Sequence, residues 1–180
     1  MDQSGSMATS VVHAGVLGSV LASLPALSLR FVAFDTSVVD LTDDLDDPVD
    51  LLFGVQLGGG TDIDQALAYC ERIVSRPLET VLVLITDLYE GGNLRSMLRR
   101  AAALLGAGVQ VIVLLALSDD GAPAHDHANA QHLASLGAPV FACTPDLFPD
   151  LMAAAIERRD VSQWAARHDV AVTPAMEERA

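Results

Sequence analysis

Glu79-Thr80-Val81-Leu82-Val83-Leu84-Ile85-Thr86-Asp87 is an unbroken apolar run closed at both ends by polar residues. A half-exposed strand would alternate in polarity, whereas a continuous run of this length is the pattern of a strand covered on both faces. Downstream, residues 94–105 have helical spacing, with Arg95, Arg99 and Arg100 on the wet side. Gly106 and Gly108 turn the chain into a second buried strand over 109–117. A helix over 128–136, a short strand over 139–143 and a helix over 145–158 follow. Upstream, Ile63, Ala66, Leu67, Cys70 and Ile73 share one face of a helix for which Thr61 or Asp62 is the N-cap. Before it, residues 29–42 read as two strands joined by a turn at Asp35-Thr36. Residues 7–24 again have helical spacing, ended by Pro25. This alternation predicts an α/β fold: a doubly wound, mostly parallel sheet with one antiparallel edge strand and helices on both faces. The domain is placed over residues 1–158, with 159–180 as a tail that packs down in part, around Trp164.

The chain has 180 residues, enough for one domain with a full core. Half of them (51%) are hydrophobic, which excludes a disordered chain despite a net charge of −14. All ten basic residues are arginine. The absence of lysine excludes a Walker A phosphate loop and Schiff-base chemistry. The acidic balance argues against nucleic acid and against an anionic membrane surface, since both need basic patches. Cys70 and Cys143 sit in apolar segments and read as free thiols of a reducing compartment. The start, MDQSGSMATSVV, lacks the basic region of a signal peptide. The longest apolar stretch, 101–117, is broken by Gly106, Gly108 and Gln110. A cytoplasmic, soluble protein is the expectation.

In doubly wound sheets, ligands sit beyond the carboxyl ends of the strands. Three segments fall there: 2–6, 58–62 and 86–87. Together they offer the carboxylates of Asp2 and Asp87 and the hydroxyls of Ser4, Ser6 and Thr61. An all-oxygen set with two negative charges suits a hard divalent cation, Mg²⁺ with Mn²⁺ as a substitute. The acidic loop 43–50 lacks the alternation of a calcium loop and reads as solvated. His125, Asp126, His127 and His132 read as a polar helix start rather than a zinc site. Gly58-Gly59-Gly60 is followed by no lysine, so a phosphate cradle is not expected. Glu90 is placed near the rim of the site.

DQSGSM at 2–7, GGGTDI at 58–63 and ITDLYEGG at 85–92 resemble the three parts of the metal-ion-dependent adhesion site of von Willebrand factor A (VWA) domains. Order, separation and element type all match over roughly residues 1–158. The resemblance implies that Ser4, Ser6 and Thr61 bind the metal directly or nearly so. It further implies that Asp2 and Asp87 hold coordinating waters, and that an Asp or Glu of a partner protein completes the shell. The phrase ITDLYEGG looks most like bacterial members encoded beside MoxR-type AAA+ ATPases, so such an ATPase or its client is the expected partner. The function expected is a Mg²⁺-dependent interaction module and not an enzyme. The rival readings are a Mg²⁺-dependent hydrolase or phosphotransferase on the same sheet, and a structural module with a vestigial metal site. The family places a central strand immediately before its first Asp, so the chain reads as one strand short. Such a strand contributes about 5–9 kcal/mol, which predicts marginal stability for residues 1–180 alone and a free α-amino group competing with the metal at Asp2.

Overall fold

The computed structural model of the chain describes residues 1–9, 16–17, 20, 28–44, 59–117 and 124–176. Its ordered elements are β1 (Val32–Phe34), β2 (Val38–Asp40), α1 (Ile63–Ile73), β3 (Val81–Thr86), α2 (Leu94–Gly106), β4 (Gln110–Leu115), α3 (His127–Ser135), β5 (Val140–Phe141), α4 (Phe148–Ile156) and α5 (Val161–Arg167). Strands β3, β4 and β5 form a parallel sheet in that order, with Val81 opposite Gln110 and Val113 opposite Val140. Parallel neighbours need a crossover of a dozen residues or more. Helices α2 and α3 provide those crossovers. β1 and β2 make the antiparallel hairpin expected over 29–42, with Ala33 opposite Val39.

β4 shows why its sequence is apolar from Val111 onward. Val111, Val113 and Leu115 pack into one hydrophobic cluster with Ile63, Leu67, Met97, Leu104 and Leu133, the inward residues of α1, α2 and α3. Ile112 and Leu114 pack into a second cluster with Phe141, Phe148, Leu151 and Trp164, under α4 and α5. Successive side chains of a strand point to opposite faces, so a strand covered on both sides has no polar position to spare. β3 follows the same rule only over its carboxyl half. Leu84, Ile85 and Thr86 are buried, while Val81, Leu82 and Val83 are half-buried. The expectation of burial along the whole run is corrected there.

The two sheets are joined by the first three residues. Asp2 N–H donates to the Ile85 carbonyl (2.9 Å), Gln3 N–H to Phe34 (2.7 Å), and Phe34 N–H to Met1 (3.0 Å). Asp2 pairs with Phe34 as a parallel bridge. Met1, Asp2 and Gln3 therefore lie between β1 and β3, in the place of the expected central strand and at its carboxyl end. The Met1 amino nitrogen donates to the Val32 carbonyl (2.7 Å).

Other details sharpen the sequence reading, and some depart from it. Arg100 is half-buried rather than free on the wet face: its guanidinium bonds Asp64 (2.7 Å) and Glu71 (2.5 Å) of α1 and clamps α2 to it. Asp62, and not Thr61, caps α1 by accepting from Gln65 N–H. The short strand is two residues long instead of five. α5 buries Val161, Trp164 and Ala165 in the same cluster as Phe141. Beyond it, Val172 bridges Phe141 antiparallel, so the segment after α5 lies along β5. Gly58, residues 45–50 of the acidic loop and most of the expected helix over 7–24 lie outside the described residues. Among the described residues, no helix is long and apolar enough to cross a membrane.

Candidate metal centre

Three chain segments meet at the carboxyl ends of the strands. Residues 2–6 leave the bridge between the sheets and enter a 3-10 turn, Gly5–Thr9. Gly5 N–H donates to the Gly59 carbonyl (3.0 Å), which draws the 59–61 loop against them. Gly91 N–H donates to the Thr61 carbonyl (2.9 Å), which draws in the loop after β3. The close approach explains Gly91: a Cβ there would stand 2.8 Å from the Thr61 oxygen. The structure thus brings together all three predicted segments.

Asp2 is the hub of the arrangement and is 1% exposed. Its Oδ1 accepts from Ser4 N–H (2.9 Å) and its Oδ2 from the Thr86 hydroxyl (2.6 Å). Burial pushes the Asp2 carboxyl above its ordinary value, and the nearby Asp87 charge adds to the effect, while the Thr86 and Ser4 hydrogen bonds oppose it. A cation beside Asp2 and Asp87 would remove that penalty on the charged form. Ser4 Oγ and Ser6 Oγ are 3.2 Å apart. Adjacent ligands of an octahedral ion at about 2.0–2.1 Å stand about 3 Å apart, so the two hydroxyls fit neighbouring positions of one ion. Ser4 and Thr61 are buried, and Ser6 is exposed at the mouth. Among the described residues, no three His, Cys, Asp or Glu side chains gather as a metal cluster. The candidate set is carried by hydroxyls and two carboxylates, which is hard-cation chemistry.

Asp87 directly follows β3 and its Oδ1 accepts from Tyr89 N–H (3.2 Å). The next residue, Leu88, adopts a left-handed backbone (φ 63°) although it carries a fully buried side chain. For a residue of this kind that conformation costs about 1–2 kcal/mol. Thr86 Oγ accepts from Leu88 N–H (3.0 Å), and Asn129 of α3 donates its amide to the Leu88 carbonyl (2.9 Å). These bonds hold the turn that presents Asp87.

Comparison with known proteins follows the same lines. The model of the family described as "VWA domain containing CoxE-like protein" matches residues 1–152. The chain belongs to this VWA family. The uncharacterized protein YehP of Escherichia coli K12 is 43% identical over 145 residues, 81% of this chain and 38% of that protein. The chain thus spans well under half the length of that curated relative. Three solved structures share the VWA-type fold at 16–17% identity. An aerotolerance-related membrane protein from Bacteroides fragilis has a TM-score of 0.64, covering 90% of this chain and 96% of its own. BatB from Bacteroides thetaiotaomicron has a TM-score of 0.64, covering 87% and 96%. The manganese-loaded TRAP protein of Plasmodium vivax has a TM-score of 0.60, covering 87% and 68%.

This VWA domain also uses residues that the sequence reading passed over. Asp35, at the end of β1, is 5% exposed. Its Oδ1 accepts from the Ser37 N–H (2.7 Å) and hydroxyl (3.0 Å), and its Oδ2 from Gly59 N–H (3.1 Å). Its own carbonyl accepts from Asp62 N–H (2.8 Å). Asp35 therefore positions the Thr61 loop on both sides. Burial works to raise its pKa, but the hydrogen bonds from Ser37 and Gly59 outweigh it and hold the carboxyl below its ordinary value. Its position just past a strand end was the available signal. Glu90, expected near the rim, is tied to the start of α1. Its Oε2 accepts from Ile63 N–H (2.7 Å), two residues beyond Thr61.

Asp35→Asn replaces one of the two acceptor oxygens by a donor, which then faces either Ser37 or Gly59 N–H. The variant is expected to lose about 1–3 kcal/mol near neutral pH, read from denaturant midpoints. A depressed pKa contributes stability that is present above the unfolded-state value, about 3.9, and is lost as pH falls through the folded-state value. The gap between wild type and variant should therefore narrow below about pH 4. A gap independent of pH would show that the carboxylate charge has no part in it.

Proposed function

We propose that this VWA domain binds one Mg²⁺, or Mn²⁺ in its place, and through it engages an acidic side chain of a partner protein without catalysis. The observation that carries the reading is the pair of serine hydroxyls 3.2 Å apart beside the buried Asp2. In this reading Ser4, Ser6 and Thr61 hold the ion, while Asp2 and Asp87 hold its waters. The bound ion supplies positive charge to attract a carboxylate. The chain's own residues hold the site: Thr86 fixes the Asp2 carboxylate, Asp35 and Gly91 fix the Thr61 loop, and Asn129 fixes the turn after Asp87. The manganese-loaded state of the TRAP structure supports a divalent ion on this fold.

A non-catalytic reading is supported by the engagement of the Asp2 carboxylate, whose two oxygens already accept from Ser4 N–H and the Thr86 hydroxyl. The chain has no lysine, and Arg100 is engaged with Asp64 and Glu71. A partner from a MoxR-type AAA+ system, in the cytoplasm, fits the ITDLYEGG phrase and the acidic, arginine-only composition. The experiment is a pull-down from lysate of the source cell with Mg²⁺ or with chelator, comparing wild type and Thr61→Ala. A protein retained only by wild type with Mg²⁺ is expected. Equal retention under all conditions would remove the metal from the interaction.

A further inference from the structure

Glu90, Gly91 and Gly92 form one side of a clasp around the loop that carries Thr61. Glu90 Oε2 accepts from Ile63 N–H (2.7 Å) and its Oε1 from Gly92 N–H (3.1 Å). Between them, Gly91 N–H donates to the Thr61 carbonyl (2.9 Å). Gly92 answers to the same close approach as Gly91. A Cβ there would stand 2.6 Å from Glu90 Oε1 and 2.9 Å from Asp62 Oδ1. On the other side of the loop, the Asp35 carboxylate accepts from Gly59 N–H and the Asp35 carbonyl from Asp62 N–H. Thr61 thus stands between two carboxylate clasps, one at the end of β1 and one in the loop after β3.

Capping alone does not account for the Glu90 side of this arrangement. Asp62 already caps α1 through Gln65 N–H, and water satisfies the remaining donors at many helix starts. Here Ile63 N–H is met instead from a loop 27 residues further on, by a half-buried carboxylate beside Asp62. Burial pushes the Glu90 carboxyl above its ordinary value, and the Asp62 charge adds to this, while the bonds from Ile63 and Gly92 N–H oppose it. The carboxylate is therefore kept at a cost, two residues along the chain from a candidate ligand. Groups that orient the ligands of an ion set its affinity, and their loss typically weakens binding about 10–100-fold. We propose that Glu90 is a positioning residue of the metal centre: by holding Ile63 N–H it fixes Thr61 for the ion and thereby sets the affinity for Mg²⁺. This inference rests on the metal reading for the ion, and on the clasp alone for the part played by Glu90.

The test combines calorimetric titration of Mg²⁺ with amide hydrogen exchange of the metal-free protein, for wild type, Glu90→Asp, Glu90→Gln and Arg158→Ala. Glu90→Asp keeps the charge but withdraws the acceptor by one methylene. Glu90→Gln removes the charge but keeps the reach and one acceptor oxygen. Arg158 bonds the Leu78 and Thr80 carbonyls at the opposite, amino end of β3, so Arg158→Ala controls for a loss of stability alone. Glu90→Asp should bind Mg²⁺ about tenfold more weakly or worse and should exchange Ile63 N–H faster than wild type. Glu90→Gln should stay closer to wild type in both readouts, and Arg158→Ala should keep the wild-type affinity. Wild-type affinity in Glu90→Asp overturns the inference, as does an equal loss in Arg158→Ala. Weaker binding by Glu90→Gln than by Glu90→Asp also overturns it, because the charge and not the clasp would then set the affinity. All three of these outcomes leave the metal reading standing. Wild type without saturable Mg²⁺ binding overturns the metal reading, and this inference with it.

Discussion

Trp164→Ala is expected to lower the free energy of unfolding by about 3–5 kcal/mol, measured as a shift of the denaturant midpoint. Trp164 is 4% exposed, its ring lies 6.2 Å from that of Phe141, and its Nε1 donates to Asp150 Oδ2 (2.8 Å). The His168 ring lies 4.7 Å from that of Trp164 and also bonds Asp150. Removal of the indole would leave a cavity beside Phe141 and an Asp150 without its buried donor. Domains have about 5–15 kcal/mol in total, so the loss would take a large part of the stability. The family match ends at residue 152, yet α5 shares a core with Ile112, Leu114 and Phe141. A loss below about 1 kcal/mol, the level of a surface change, would mean that α5 is not part of the cooperative unit.

Asp2→Ala should act on both metal binding and stability. The Thr86 hydroxyl, in a side chain with no exposure, would lose its acceptor, and Ser4 N–H would lose its own. A buried donor left unsatisfied costs about 1–3 kcal/mol. Relief from burying a charge works in the other direction, since burial raises the Asp2 pKa. The metal-free variant should therefore be less destabilised than the hydrogen bonds alone suggest. Its response to Mg²⁺ should vanish. Wild type saturated at about 100 times the dissociation constant gains about 2.7 kcal/mol, and the variant should gain none. Thermal melts of both proteins with Mg²⁺ and with chelator give the four values needed. A Mg²⁺ shift kept by Asp2→Ala would take Asp2 out of the site.

Much of this was legible in the sequence because burial on two faces leaves a plain mark. β4 is apolar at every position after Gln110 since Val111, Ile112, Val113 and Leu114 are all buried, on alternate sides. The helices were legible from the spacing of Ile63, Ala66 and Leu67, or of Met97, Ala101 and Leu104. The half-exposure of Val81 to Val83 was not legible, because it depends on what lies beside the strand and not on its own residues. Arg100 looked like a surface charge until α1 brought Asp64 and Glu71 against it. Of the candidate centre, the three segments could be picked out because each carries a short run of hydroxyl or carboxylate residues, 2–6, 59–62 and 86–87. Asp35 could not be read as a positioning residue, because its partner Gly59 is 24 residues away.

The central claim, a Mg²⁺ site built from Asp2, Ser4, Ser6, Thr61 and Asp87, is tested most directly by calorimetric titration of Mg²⁺ into wild type and Thr61→Ala. Thr61 lies in the buried part of the site but is engaged there through its carbonyl, which the substitution keeps. One saturable site in the wild type, absent or much weakened in a folded Thr61→Ala, is the predicted result. No saturable binding in the wild type, or the same binding in the variant, would contradict it.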